Sequence, residues 1–217
     1  MSPAPSHKCY AVITADFVGS RRVQSFRARR DRGLATVSQL HLGEKMILSP
    51  YTVTAWDEFQ VILRKPEFAP RVILDLRRLL YPLQLWIAVG IGSVSAVRNK
   101  PINQYAAGEA FERARKAADR MKAGSSKYRV LTNFESGQDI FDRIANTIYR
   151  LQDALMERTT PKQWATINAR MQTNRQEVTA RKLSVDVSTV SRTLRRGSYW
   201  HLLDTADAME KIVQAYF

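Results

Sequence analysis

The sequence predicts an α+β protein in two parts: a βαββαβ domain over residues 8–132 and an all-helical domain over residues 133–217. Three observations carry that expectation. Short β-branched and apolar runs alternate with helical periodicity through the first part of the chain. No strand-like run follows them. The remainder is a series of amphipathic stretches separated by cap and turn residues.

The elements follow in order. Cys9 to Thr14 is an uninterrupted apolar run that reads as a buried strand. From about Gln24 to Leu42, Phe26, Leu34, Val37 and Leu40 fall at helical spacing with arginines between them. Tyr51 to Thr54 and Phe59 to Leu63 are short β-branched runs joined by Ala-Trp-Asp-Glu, the pattern of a hairpin. Phe68 to Leu80 carries Val72, Leu76 and Leu79 on one helical stripe, and Pro82 stops it. Leu85 to Ile91 is the most apolar strand candidate. Ala106 to Met121 is an alanine-rich helix ended by Gly124-Ser125-Ser126, and Lys127 to Leu131 is a candidate last strand.

This order is the split-βαβ plan of ferredoxin-like and palm domains. Short, right-handed connections place the first strand beside the hairpin. Asp16, at the end of the first strand, then approaches Asp57 and Glu58 in the hairpin. Carboxylates are rare in such runs, because an unpaired buried charge is costly. Two strands ending in acids, in an arginine-rich chain, predict a site for a hard cation and a phosphate.

In the helical part, Ile140, Ile144, Ile148, Leu151 and Leu155 mark one stripe of a long helix. Thr160-Pro161 supplies an N-cap and a first-turn proline for a helix carrying Trp164, Ile167 and Met171. Helical segments follow at Gln176 to Leu183, Val187 to Arg195 and Trp200 to Ala215.

The 217 residues suffice for one large or two smaller cores, and the 45% hydrophobic and 25% charged content is that of a soluble globular protein. No apolar run reaches the ~18–20 residues of a membrane span. Met1 to Ser6 has no signal-peptide core, and Cys9, the lone cysteine, excludes an internal disulfide. A cytoplasmic protein is expected. The net charge of +14 favours polyanionic partners. Residues 1–140 hold 22 of the 34 basic residues and 12 of the 20 acids. The excess there includes Arg21, Arg22, Arg27, Arg29, Arg30 and Arg32; solvated helix faces are the alternative account of that run.

Residues 176–196, with Ala180, Leu183, Val185, Val187, Val190 and Leu194 as core positions, resemble the helix-turn-helix of bacterial regulators and sigma factors. Ala180 permits close helix approach, Leu183 and Val185 plug the angle, and Asp186 is placed to cap the second helix. Val187, Val190 and Leu194 give that helix a buried face. Ser188, Thr189, Ser191, Arg192, Arg195 and Arg196 remain for phosphates and base edges of duplex DNA. Ser184 stands where many relatives have glycine. An ordinary helical hairpin with the same caps is the alternative.

Ala15-Asp16-Phe17-Val18-Gly19-Ser20 resembles the first metal motif of class III nucleotidyl cyclases and GGDEF-type proteins, and Trp56-Asp57-Glu58-Phe59 resembles the hairpin that supplies their second acid. That resemblance implies a divalent metal, Mg²⁺ or Mn²⁺, held by Asp16, the Phe17 carbonyl, Asp57 and Glu58. Gly19 and Ser20 then approach a phosphate, Arg21, Arg22 or Arg27 neutralises it, and Arg113 on the alanine-rich helix faces developing charge. Cyclase relatives have glycine where this chain has Trp56, which either stacks on a base or blocks the pocket. Together with Val89-Gly90-Ile91-Gly92-Ser93 and the helical tail, these motifs resemble the SatD family from about Cys9 to residue 200. The family implies a small cytoplasmic protein with a cyclase-like palm and a DNA-binding tail.

His7, His41 and His201 share no ligand spacing, so a zinc site is not expected. Gly90-Ile91-Gly92-Ser93 lacks a full dinucleotide fingerprint and reads as the end of a buried strand. Trp56, Trp86, Trp164 and Trp200 fit core or interface positions, and Tyr199-Trp200 is a candidate dimer contact. The leading expectation is a DNA-binding regulator whose palm binds metal and nucleotide. Its competitors are a metal-dependent cyclase or polymerase-like enzyme acting on a nucleoside triphosphate, and an inactive palm used for sensing or oligomerisation. A homodimer is expected from the cyclase resemblance.

Overall fold

Tyr10–Phe17 (β1), Thr52–Val53 (β2), Glu58–Leu63 (β3), Leu85–Gly92 (β4) and Thr132–Glu135 (β5) form one mixed sheet in the order β2-β3-β1-β4-β5. The structure, a computed structural model, describes residues 8–95, 107–124 and 129–217. Strand β1 is antiparallel to both β3 and β4, and β5 runs parallel to β4. The register sets Asp16 directly across from Glu58 on one side and Trp86 on the other.

Alternation along β1 explains the layers. Ala11, Ile13, Ala15 and Phe17 enter the main core, which also takes Phe26, Leu34 and Val37 of α1 (Phe26–Gly43) and Val72, Ile73 and Leu76 of α2 (Ala69–Leu79). Val12 faces the other way and packs with Ile62, Ala110 and Ala114, the last two from α3 (Glu109–Ala123). Gly90 makes that contact possible: a Cβ there would sit 2.0 Å from the Ala110 carbonyl and 2.2 Å from the Ala114 nitrogen. Only glycine lets the helix backbone approach this closely.

The last strand lies later than the sequence predicts. It spans Thr132–Glu135 rather than Lys127 to Leu131, and residues 127 and 128 lie outside the described residues. The sheet therefore continues past the expected division between 132 and 133. The helices beyond it share its core: Phe141, Ala145 and Tyr149 of α4 (Asp139–Glu157) and Met209 and Val213 of α8 (Tyr199–Tyr216) belong to the main cluster.

Helix α4 also closes the free edge of the sheet. Its Asp153 accepts the Leu131 N–H at 2.9 Å, and Asn146 accepts the Phe134 N–H at 2.7 Å while donating to the Phe134 carbonyl at 3.0 Å. Asp142 accepts the Ser136 N–H at 2.9 Å. Residues 142, 146 and 153 lie on one helical stripe, so one helix face supplies polar groups that an edge strand otherwise leaves unpaired. Between them Tyr149 stacks on Phe134. The apolar stripe is not the buried one: Ile140, Ile144, Leu151 and Leu155 are exposed, and α4 buries Phe141, Ala145, Tyr149, Gln152 and Met156. Both faces carry apolar residues at helical spacing, and the buried one is flanked by the residues that bond the β5 edge.

A buried ion pair locks this arrangement. Arg77 of α2 donates to the Leu85 carbonyl, to the Leu131 carbonyl at 2.8 Å and to Thr132 Oγ1 at 2.9 Å, with Asp153 Oδ1 at 3.4 Å. Burial pushes the Asp153 carboxyl above the ordinary range, opposed by the Arg77 charge and the bonds from Leu131 and Thr132. Helices α5 (Pro161–Thr173), α6 (Gln176–Leu183) and α7 (Val187–Arg196) surround a second core of Trp164, Ile167, Ala180, Val190 and Leu194, which Leu74 of α2 and Leu202 of α8 complete. Thr160 caps α5 as the sequence predicts, and Gln163 completes a capping box, the Thr160 backbone N–H donating to Gln163 Oε1 at 2.7 Å. Among the described residues, no helix is long and apolar enough to cross a membrane.

Asp153→Ala is expected to destabilise the fold by about 3–5 kcal/mol, because it leaves the buried Arg77 guanidinium without its counter-charge. Urea unfolding checks this; a loss under 1 kcal/mol contradicts the assignment.

Candidate metal and nucleic-acid sites

The acids meet where β1 leaves the sheet. The Phe17 N–H donates to the Asp57 carbonyl at 2.9 Å, clasping the hairpin turn to the end of β1. Asp16 and Glu58 are cross-strand neighbours, so their side chains share one face. Each carboxylate already has a partner. Lys122, in the last turn of α3, lies 3.1 Å from Asp16 Oδ2. Ser20 Oγ donates to Asp57 Oδ2 at 2.7 Å, and Thr54 Oγ1 donates to Glu58 Oε1 at 2.7 Å. Burial pushes the Asp16 carboxyl above its ordinary range; the Lys122 hydrogen bond opposes this, and the charges of Asp57 and Glu58 push it further. The arrangement is a half-buried acid with two like charges nearby and a lysine as counter-ion.

The other expected site residues divide. Phe17 has its ring in the core, 5.2 Å from Phe26 and 5.4 Å from Phe59, so only its backbone is left for a ligand. Gly19 takes φ of 67°, which a glycine holds without strain, and begins the short turn Ser20–Arg22. Ser20 is buried and committed to Asp57, whereas Arg21 and Arg22 are exposed beside it. Arg113 is not brought to this group. It donates to the Ile91 carbonyl at 2.7 Å and pairs with Glu109, near the end of β4 remote from Trp86, which neighbours Asp16. About five residues of strand separate the two ends, roughly 17 Å.

Trp56 turns toward helix α1. Its ring lies 6.0 Å from Phe26, with the Arg27 guanidinium 4.5 Å from the ring centroid, and it is 48% exposed. Arg30 donates to the Trp56 carbonyl and bonds Asp31. Lys122 and Thr54 are the residues the sequence reading missed. Lys122 follows an alanine stripe that announces only a packed helix, so its reach to Asp16 depends on where α3 crosses the sheet. His41 proves to be a core residue, hydrogen-bonded to Tyr51 at 2.9 Å and Asp75 at 3.2 Å.

At the other end, α6 and α7 occupy the expected segments around the buried Ala180, Val190 and Leu194. Ser184 ends α6 in the left-handed region at φ 52°, and the Val185 N–H returns to the Ala180 carbonyl at 3.0 Å. That is the conformation for which glycine is favoured. Three expectations need correction. Val185 is 37% exposed and does not plug the angle, Val187 is 41% exposed and lies off the buried face, and the Asp186 side chain makes no cap bond. The buried face of α7 is therefore reduced to Val190 and Leu194. Ser188, Arg192, Arg195 and Arg196 are exposed, with Thr189 and Ser191 half-buried beside them. Helix α7 carries no acid, and among the described residues none of the three arginines is ion-paired. Ser184→Gly is expected to raise stability by about 0.5–1 kcal/mol by relieving the left-handed serine; thermal unfolding checks it, and a lower midpoint would refute the strain.

No curated protein matches the chain. A solved structure of a regulator of polyketide synthase expression from Bifidobacterium adolescentis aligns with 94% of this chain and 80% of its own, at 15% identity and a TM-score of 0.29. The SatD family model matches residues 10–210. The chain belongs to the SatD family.

Proposed function

We propose that this protein is a cytoplasmic DNA-binding regulator whose α6–turn–α7 unit contacts duplex DNA and whose sheet end binds a divalent metal with a nucleotide. The observation that carries the DNA reading is the acid-free, solvent-facing side of α7, where Ser188, Arg192, Arg195 and Arg196 stand together on a helix seated by Val190 and Leu194. Hydroxyls early in a helix and guanidinium groups later suit phosphate positioning and base-edge contact. The net charge of +14 adds long-range attraction for the same partner.

The strand order β2-β3-β1-β4, with antiparallel neighbours throughout, supports a palm reading of the sheet. Carboxylate oxygens are hard donors that suit Mg²⁺ or Mn²⁺. Among the described residues no group of three or more His, Cys, Asp or Glu is placed to hold an ion. An ion bound here would therefore rest on Asp16 with Asp57 or Glu58, and on ligand phosphates, as Mg²⁺ commonly does. The Phe17 carbonyl would add a backbone oxygen to the ion, and the open backbone at Gly19 with the exposed Arg21 and Arg22 would meet those phosphates. When bound, the ion would supply charge neutralisation for a phosphate chain.

Binding is favoured over turnover by two features. Lys122 already supplies a cation to Asp16, and Arg113, the residue expected to meet developing charge, stands at the far end of β4. A sensing palm is thus the preferred form. A cyclase-like or polymerase-like enzyme remains the second reading, favoured by the cross-strand pairing of Asp16 and Glu58.

Arg192→Ala is expected to weaken binding of duplex DNA and lower its salt slope by about one; an unchanged slope removes α7 from the interface. Mn²⁺ with a nucleoside triphosphate is expected to raise the melting temperature of the wild type. Asp16→Asn abolishes that shift and Lys122→Gln enlarges it. The same shift in all three proteins refutes the metal reading.

A further inference from the structure

A cavity of about 210 Å³ lies where the two hydrophobic cores meet. Leu83, from the main core, forms one part of its wall, and Tyr81, Met156 and Trp164, from the second, form another. The Tyr81 and Trp164 rings are stacked with their centroids 5.6 Å apart, so the wall includes an aromatic pair. Gln84 and Glu157 are the exposed residues of the lining and mark its mouth. Arg129 bridges them, donating to Gln84 Oε1 at 2.7 Å and to Glu157 Oε1 at 2.7 Å.

Arg77 is the buried charged residue of the same wall. Its Nη1 donates to the Leu85 carbonyl, and its Nη2 to the Leu131 carbonyl and Thr132 Oγ1. Its Nε–H is buried and has no acceptor among the described residues. A buried donor without an acceptor is costly. An oxygen brought into the cavity would supply one.

We propose that this cavity binds a neutral compound with a single aromatic ring and a carbonyl oxygen, the ring packing against Tyr81 and Trp164 and the oxygen accepting from Arg77 Nε. Size, wall and charge each narrow the choice. An apolar cavity of about 150 Å³ takes a benzene ring, so this one has room for a ring and a small substituent. Flat rings pack well against an aromatic pair by offset or edge contact. The substituent must accept a hydrogen bond, because a guanidinium only donates. Both cations at the cavity already face acids, Arg77 with Asp153 at 3.4 Å and Arg129 with Glu157. A charged ligand would therefore be buried without a counter-charge of its own. The ligand would touch both cores at once. The inference uses none of the residues of the DNA and metal readings and is independent of them.

Nitrogen-15 NMR of the full chain, titrated with benzamide, tests it. The Arg77 Nε–H and Trp164 indole N–H resonances are expected to shift together and to saturate with a Kd on the order of 1 mM, as suits a ligand of about ten heavy atoms. The benzamide ring protons are expected to show Overhauser contacts to the Met156 methyl group. Met156→Trp fills the cavity and is expected to abolish both shifts with an unchanged far-ultraviolet circular dichroism spectrum. Absence of either shift with benzamide at about 20 mM overturns the proposal. So does a folded Met156→Trp protein that binds like the wild type. If that variant does not fold, the wild-type Overhauser contacts decide, and contacts only to residues outside the cavity overturn the site. Benzoate binding as tightly as benzamide overturns the neutral class.

Discussion

The fold depends on one helix face completing one strand. β5 is the outer strand of the sheet, and its outward backbone groups have no neighbouring strand. Asp142, Asn146 and Asp153 of α4 take that place, and Asp153 also meets Arg77, which reaches across from α2 to the carbonyls of β4 and the β5 entrance. A buried polar group costs free energy unless it finds a partner. A helix that supplies three such partners is therefore fixed in rotation as well as position. That fixes which residues of α4 face the core, and it turns the most apolar stripe of the helix toward solvent.

The acidic group at the end of β1 is built on the opposite principle. The register of β1 and β3 forces Asp16 beside Glu58, and the clasp between Phe17 and Asp57 holds a third acid close. Burial then disfavours ionisation of Asp16, so the group gains from any cation offered to it. Lys122 offers one from α3. In the proposed reading an external ion would have to compete with this internal ammonium. That competition, with the distance of Arg113, is why the metal and nucleotide readings concern binding first. Arg27 and Phe26 keep the Trp56 ring against α1.

Much of the architecture was legible because it is written in local rules. The Thr160 capping box, the ends of α6 and the strand pair that carries Asp57 and Glu58 follow from neighbouring residues and from period alone. The left-handed turn at Ser184 follows from the helix-turn-helix pattern despite the absence of glycine. Where reading failed, two local rules gave equal answers. Helix α4 has apolar residues on two faces, and α7 has a valine at its first position that periodicity counts as core although it is 41% exposed. β5 lies later than the strand-like run from Lys127 to Leu131, because the pairing with β4 begins only at Leu131.

The sequence by itself determined the elements, their order, the acids on adjoining strands and the basic helix of the C-terminal unit, because each is set by spacing along the chain. Tertiary structure alone decided which face of α4 is buried, that Lys122 answers Asp16 and that Arg113 does not reach the acids. Those outcomes depend on where a helix crosses a sheet, and that is set by distant backbone groups seeking partners and by a glycine at position 90 that lets α3 settle onto β4.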